Sequence, residues 1–397
     1  MRWNQHIVKV NNKSLVLHTI KQHAPLSRAD IANKLGLTKG TVSTLVNELL
    51  EEKLCYETGP GESSGGRPPV MLLFNQTAGY SIGIDLGVNY ILGVLTDLDG
   101  NIIDEKMINF NQLTYDETLS LIKETIHFLI NSAPKSHYGV IGIGVGVPGI
   151  INKSGDILLA PNLGWKNINL QREIEVEFQL PTIIENEANA GAYGEKCFGA
   201  GKEIEDLIYI SAGIGIGVGF ILNDELYRGG NGFSGELGHM IIEIDGKQCS
   251  CGSKGCWELY ASEKSILKEA EKYIDGECAI SEKHHKLETL IDETKKSEHF
   301  VPVFEQAGYY LGIGINNIIN TFNPKQIIIG NRLAMAKEWL EDPLKEVIEN
   351  YTLKQHQTNL QITFAELSIY SAALGVSAYA TENFLKTDVL KQQEGQN

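Results

Sequence analysis

No apolar run in this sequence is long enough to cross a bilayer, and its start, MRWNQHIVKV, lacks the hydrophobic stretch of a secretion signal. A cytoplasmic protein is therefore expected, with no membrane partner. Cysteine is scarce: six in 397 residues are too few for a disulfide scaffold. Basic residues are outnumbered, 34 Lys and Arg against 50 Asp and Glu, and the net charge of −16 argues against indiscriminate nucleic-acid binding. The deficit is uneven, however. Residues 1–75 carry +3 and the remainder −19, so only the amino-terminal segment has a charge that favours a polyanion. With 42% hydrophobic and 21% charged residues, the chain has a globular composition, and its length allows two or three domains.

Three helical patterns open the sequence. Asn12–His23 places Leu15, Val16 and Ile20 at helical spacing. In PLSRADIANKLGL, Ser27 is an expected N-cap with Asp30 three positions on, a capping-box arrangement, and Gly36 ends the helix. A third helix starts at Thr38 and buries Val42, Leu45, Val46, Leu49 and Leu50. Two short helices joined by Gly-Leu-Thr fit a helix-turn-helix; a small helical hairpin would give the same pattern. In the DNA-binding reading the second helix enters the major groove with Lys39, Gly40, Thr41, Ser43, Thr44 and Asn47, and Ser27, Arg28 and Thr38 stand at the helix starts beside it. LCYETGPGESSGGRPPVMLLF then reads as strand, Gly/Ser-rich tip and strand: a wing. Arg67, on a slim Gly-Arg-Pro backbone, is the expected minor-groove contact.

From Tyr80 the texture changes. YSIGIDLGVNYILGVLTDLDGNII alternates like a β-hairpin, and a helix over Tyr115–Asn131 and a glycine-studded strand follow. A second strand-and-glycine run, DLIYISAGIGIGVGFILNDELYRG, opens another half. Strand pair, helix and strand occurring twice predict two related α/β halves around a cleft, the natural ligand site. At one strand-to-helix junction, IIENEANAGAYGE sets Asn186 and Glu187 side by side. A carboxylate beside an amide there can hold a sugar hydroxyl or take its proton.

GELGHMIIEIDGKQCSCGSKGCWE places His239, Cys249, Cys251 and Cys256 within eighteen residues, with Gly252 and Gly255 supplying tight turns. Three thiolates and one imidazole make a closed tetrahedral set that suits a structural Zn²⁺, with no position left for an activated water. Glu236 stands three residues before His239 and Glu258 two after Cys256. Anchored by such a knot, both carboxylates are fixed acceptors for sugar hydroxyls.

In order, the motifs GIDLG, GVPGII, PNLGW, ENEANA, GIGIGVGF, YRGGNGFSGELGH and the His/Cys set resemble the ROK family (repressor, open reading frame, kinase) over almost the full length. The resemblance implies an α/β fold: an N-terminal winged helix-turn-helix (1–75), then an actin-like, RNase H-like pair of subdomains. These span 76–200, completed by the C-terminal helix, and 201–397 with the zinc loop. It also implies that Gly149, Asn162, Asn186, Glu236, His239 and Glu258 meet the sugar, with Glu187 at its edge. His239 would then give one ring nitrogen to zinc and the other to a hydroxyl. The winged helix selects the family's repressor branch, and overall similarity to repressors of xylose genes implies D-xylose as inducer. The partners implied are a palindromic operator DNA and a second copy of the chain.

The family's kinases carry a D-x-G-G-T loop, a G-T-G-x-G-G-G loop and an Asp base in E-N-D-A-N. Here the first reads Asp85-Leu86-Gly87-Val88-Asn89, Ile214 and Val218 interrupt the second, and Glu187 takes the base position. Bulky Val88 and Ile214 obstruct backbone approach to a phosphate. Glutamate has an aspartate-like pKa, but its extra methylene displaces the carboxylate by about 1 Å, enough to cost ~10²-fold in rate. A sugar site without an ATP site, and no catalytic residue, is the expectation. A sugar kinase, a repressor answering to another hexose and a co-regulator answering to a protein partner are the alternatives.

Overall fold

The computed structural model describes residues 5–60, 68–273 and 286–391. The head is a winged helix-turn-helix of α1 (Gln5–His23), β1 (Leu26–Ser27), α2 (Arg28–Leu35), α3 (Lys39–Glu51), β2 (Cys55–Pro60) and β3 (Val70–Phe74). Ser27 and Asp30 form the capping box, and Gly36 ends α2 at φ 65°. Thr38 caps α3, its hydroxyl accepting from the Thr41 amide. Val42, Leu45, Val46 and Leu49 pack with Ile31, Ala32, Val16, Leu17 and Ile20, while Leu50 is only partly buried. Helix α1 begins at Gln5, well before the expected Asn12. Its added turns are held by tertiary contacts: Val10 is buried, and Lys9 pairs with Glu48 of α3 at 2.7 Å. Strands β2 and β3 pair antiparallel on either side of 61–67. Arg67 lies outside the described residues.

The next unit comprises β4 (Tyr80–Leu86), β5 (Tyr90–Asp97), β6 (Ile102–Asn109), α4 (Tyr115–Ser132), β7 (Val140–Val147), β8 (Ile150–Ile151), β9 (Ile157–Ala160), β10 (Trp165–Ile168), α5 (Leu170–Phe178), β11 (Thr182–Asn186) and α6 (Glu187–Phe198). Its sheet runs β11-β7-β4-β5-β6, and strands β8–β10 form a small second sheet. Strands β4, β5 and β6 are an antiparallel meander, with β7 and β11 parallel to β4. Alternation divides the faces: Ile82 and Ile84 pack with Leu119, Ile122 and Ile126 of α4, whereas Gly83 and Gly144 face the backbone of the C-terminal helix. A Cβ at either glycine would strike the carbonyls of Ala373 or Val376, so the close crossing requires them.

The last unit has β12 (Leu207–Ala212), β13 (Ile216–Leu222), β14 (Glu225–Leu226), α7 (Glu258–Ala261), α8 (Glu263–Ala270), α9 (Leu287–Ser297), α10 (Val301–Phe322), β15 (Gln326–Gly330), α11 (Lys337–Tyr351), α12 (Lys354–Gln357) and β16 (Gln361–Phe364), after which α13 (Ser371–Lys391) packs back on β4, β5 and β7 of the first sheet. Its sheet order is β14-β13-β12-β15-β16, with β12, β15 and β16 parallel. Helix α6 leaves the first sheet yet packs on β12 and β13 of the second and along α13. The two helices thus tie the sheets together. The charged segment 283–298 reads from sequence as a solvated helix and loop; α9 is that helix, but it turns Leu287, Leu290, Ile291 and Thr294 inward. Its His284–His285 pair lies outside the described residues. No described helix is long and apolar enough to cross a membrane.

Candidate functional site: the cleft between the sheets

A cavity of about 640 Å³ opens between the two sheets, and Gly149, Asn162, Asn186, Glu187, Glu236, His239 and Glu258 all line it. Asn186 ends β11 and caps α6: Oδ1 accepts from the amides of Ala188 (2.9 Å) and Asn189 (3.1 Å). Its Nδ2 donates to the Gly149 carbonyl at 2.9 Å, so one amide side chain fixes both the helix start and the GVPGII loop. Asn162 is exposed on the short turn Pro161–Leu163.

Glu187 is already engaged. Its Oε1 accepts from Ser211 Oγ (2.7 Å) and Asn331 Nδ2 (3.0 Å), and Asn331 Nδ2 also reaches Ser211 Oγ at 2.9 Å. Asn331 holds this position at φ 63°, ψ −163°, a region ordinarily reserved for glycine. Asp85 is buried nearby: Oδ2 accepts from the Tyr90 hydroxyl at 2.8 Å, and Oδ1 has no hydrogen-bond partner among the described residues. Burial, then the Glu187 charge, pushes the Asp85 carboxyl well above the usual range; burial also raises Glu187, against the Ser211 and Asn331 bonds. Asp85, Tyr90, Ser211, Asn331 and Arg332 belong to this site, and sequence reasoning missed them as such. The one signal was the Asp of GIDLG.

The raised Asp85 carboxyl has a stability consequence. The unfolded chain releases that proton at an ordinary carboxylate pKa and the folded chain retains it. The stabilisation is therefore complete below the unfolded pKa and is lost as pH rises through the folded one. Asp85→Asn removes this loss. Its advantage in melting temperature is expected to grow from pH 5 towards pH 8 in thermal scans of both proteins across that range.

Across the cleft, His239, Cys249, Cys251 and Cys256 bring their ligand atoms within 4.8 Å of one another. Cys249 Sγ to His239 Nδ1 and Cys251 Sγ to Cys256 Sγ are both 3.7 Å, far from a disulfide and close to the edge of a zinc tetrahedron, about 3.5–3.8 Å from its bond lengths. The donor set therefore fits zinc. Nδ1 is the ring nitrogen that faces Cys249. Glu258 Oε1 lies 3.6 Å from both Nδ1 and Cys249 Sγ, beside the cluster. Glu236 precedes the turn Leu237–His239, and burial raises its carboxyl, with His239 opposing and Glu258 adding to the shift.

In the head, Thr38, Lys39, Gly40, Thr41, Thr44 and Asn47 are exposed and Ser43 partly so. Gly40, Thr41, Thr44 and Asn47 fall on one helical stripe. Arg28 donates to Asn47 Oδ1 at 3.2 Å and pairs with Glu57 of β2 at 2.8 Å, which ties α2, α3 and the wing strand. Ser27 is buried in its cap, with Oγ bonded to Asp30 Oδ2 at 2.7 Å.

A winged helix-turn-helix joined to a two-sheet cleft, with a His/Cys knot on one wall, defines a ligand-responsive DNA-binding regulator. The chain belongs to the ROK family, whose model matches residues 81–383, and residues 11–58 match the MarR family of winged helices. It is 43% identical to the xylose repressor of Bacillus spizizenii, over 98% of this chain and 99% of that one. Among solved structures it is similar to a ROK transcriptional regulator described as a homologue of Escherichia coli MLC: TM-score 0.80, 27% identity, 97% and 98% of the two chains. A Streptomyces griseus ROK glucokinase solved with glucose and AMPPNP covers 77% of this chain and 100% of its own, at TM-score 0.70 and 26% identity.

Proposed function

We propose that this regulator represses transcription from a palindromic operator as a homodimer and is released by a monosaccharide, D-xylose, that closes the cleft. The observation that carries the reading is the occupied Glu187. The carboxylate in the kinase-base position is bonded to Ser211 and Asn331, while the neighbouring loop positions carry Val88 and Ile214. The site keeps its hydroxyl acceptors without a phosphate cradle, so no phosphoryl transfer is expected. The likeness to a xylose repressor over both full lengths supports D-xylose and the control of xylose-utilisation genes.

In this reading Glu236, Glu258, Asn162 and Asn186 accept or donate to the sugar hydroxyls, Gly149 lets the backbone approach, and His239 Nε2 adds a further bond. A structural Zn²⁺ on His239, Cys249, Cys251 and Cys256 holds one wall of the cleft. Residues 1–75 form the DNA-binding head, 76–200 with the C-terminal helix the first subdomain and 201–397 the second, in the cytoplasm. Titration calorimetry with D-xylose and D-glucose, beside a coupled ATP-turnover assay on both, tests the assignment. Heat from D-xylose alone with no turnover is the expected result. Turnover near ordinary enzyme rates, about 1–10³ s⁻¹, overturns it in favour of a kinase.

A further inference from the structure

One set of contacts outside the cleft runs from the sugar-side loop to the recognition helix. Arg228 begins the loop that ends on Glu236 and His239. Its Nε and Nη2 donate to Glu185 Oε2 at 2.8 and 2.7 Å, and Glu185 sits beside Asn186 at the end of β11. This ion pair links the second sheet's loop to the first sheet. Glu185 is buried and its other oxygen is saturated by Asn189 Nδ2 (3.1 Å) and the Asn186 amide (3.0 Å), so the pair has one geometry.

The Arg228 guanidinium also lies over the ring of Tyr379 on α13, 5.4 Å from its centroid. Tyr379 stacks on Tyr193 of α6, centroids 4.0 Å apart and planes 8° from parallel. The Tyr193 hydroxyl donates to Glu382, one turn further along α13. Two residues on, Phe384 meets Tyr138 edge-to-face at 4.9 Å, and the Tyr138 hydroxyl donates to the Glu52 carbonyl at 2.9 Å. Glu52 is the C-cap of α3. Phe384 and Leu385 also pack against the cluster that joins the head's Val16, Leu17 and Ile20 to Ala78, Leu98 and Ile141 of the first subdomain.

We propose that Arg228 is the positioning residue that transmits sugar binding to the DNA-binding head, through Tyr379, Tyr193 and Glu382 along α13 to Tyr138 and the end of α3. The proposal rests on the sugar-released repressor reading above. Closure on the sugar moves the 227–239 loop; Arg228 carries that movement to α13 because it grips Glu185 and Tyr379 together. Since the head shares its core with α13, a shift of that helix changes where α3 sits. Coupling of this kind is reciprocal, so operator DNA opposes the same movement.

The test measures operator affinity with and without D-xylose, and D-xylose affinity by calorimetry, for the full-length protein, Arg228→Met and Tyr193→Phe. Arg228→Met keeps an apolar stem over Tyr379 but lacks the charge; Tyr193→Phe removes one hydroxyl from a packed ring pair and remains informative if the first variant unfolds. The unaltered protein is expected to lose operator affinity with sugar by about 5–150-fold. Both variants should bind each ligand within about threefold of it, with the sugar effect on DNA reduced to about twofold or less for Arg228→Met and clearly diminished for Tyr193→Phe. Variants that release DNA as the unaltered protein does overturn the relay and leave the repressor reading standing. An unaltered protein whose DNA affinity ignores every monosaccharide tried overturns both.

Discussion

A Cys256→Ser protein is expected to bind its operator and no longer release it when sugar is added. Cys256 is fully buried and its backbone bridges to Ile241, so it ties together the turn that ends on His239 and the helix α7 that begins at Glu258. With zinc on the knot, as proposed, losing one of its four ligands weakens the hold on the ion, and with it the constraint on those two side chains and Glu236. Sugar affinity should fall by at least roughly 100-fold, while operator affinity stays within about twofold, because no residue of the knot belongs to the cluster that packs the head. Metal analysis, calorimetry and DNA anisotropy on one preparation check all three. Retained zinc, or a sugar response that survives without it, would show that the knot is not what shapes the cleft.

The second large effect belongs to α3. Thr44 and Asn47 occupy its exposed stripe, and each base contact is worth about 1–3 kcal/mol. Thr44→Ala combined with Asn47→Ala should weaken operator binding by roughly 10²–10³-fold and leave sugar affinity unchanged. Lys39→Ala should instead weaken specific and non-specific DNA alike and lower the salt slope by about one. Fluorescence anisotropy over a salt series separates the two. Equal losses on operator and random DNA for the Thr44/Asn47 variant would place α3 on the phosphate backbone rather than in the major groove.

What was legible in the sequence is what its local chemistry specifies. The Ser27–Asp30 capping box and the Gly36 stop mark α2 with no reference to the rest of the chain, and the His/Cys spacing closes within one loop. The missed part of the site joins residues that only the fold brings together. Glu187 meets Asn331 across 144 positions, and Asn331 follows an ordinary Ile-rich strand with nothing to announce its glycine-like backbone. In sequence Asp85 reads as the remnant of a phosphate loop; that its carboxyl is buried with the Glu187 charge acting on it follows from two sheets converging. Arg228 stood in a recognised motif, YRGGNG, but its partners Glu185 and Tyr379 lie on other elements. Helix α1 ran longer than its apolar spacing because Val10 and Lys9 find partners on packing.

A repressor released by a sugar holds DNA and that sugar in opposition, each weakening the binding of the other. Anisotropy of the full-length protein on its operator, at fixed salt and titrated with D-xylose, tests it most directly. The account predicts tight binding that D-xylose weakens by about 5–150-fold and D-glucose does not. Operator affinity that stays constant at saturating D-xylose, in a protein that calorimetry shows to bind the sugar, would contradict it.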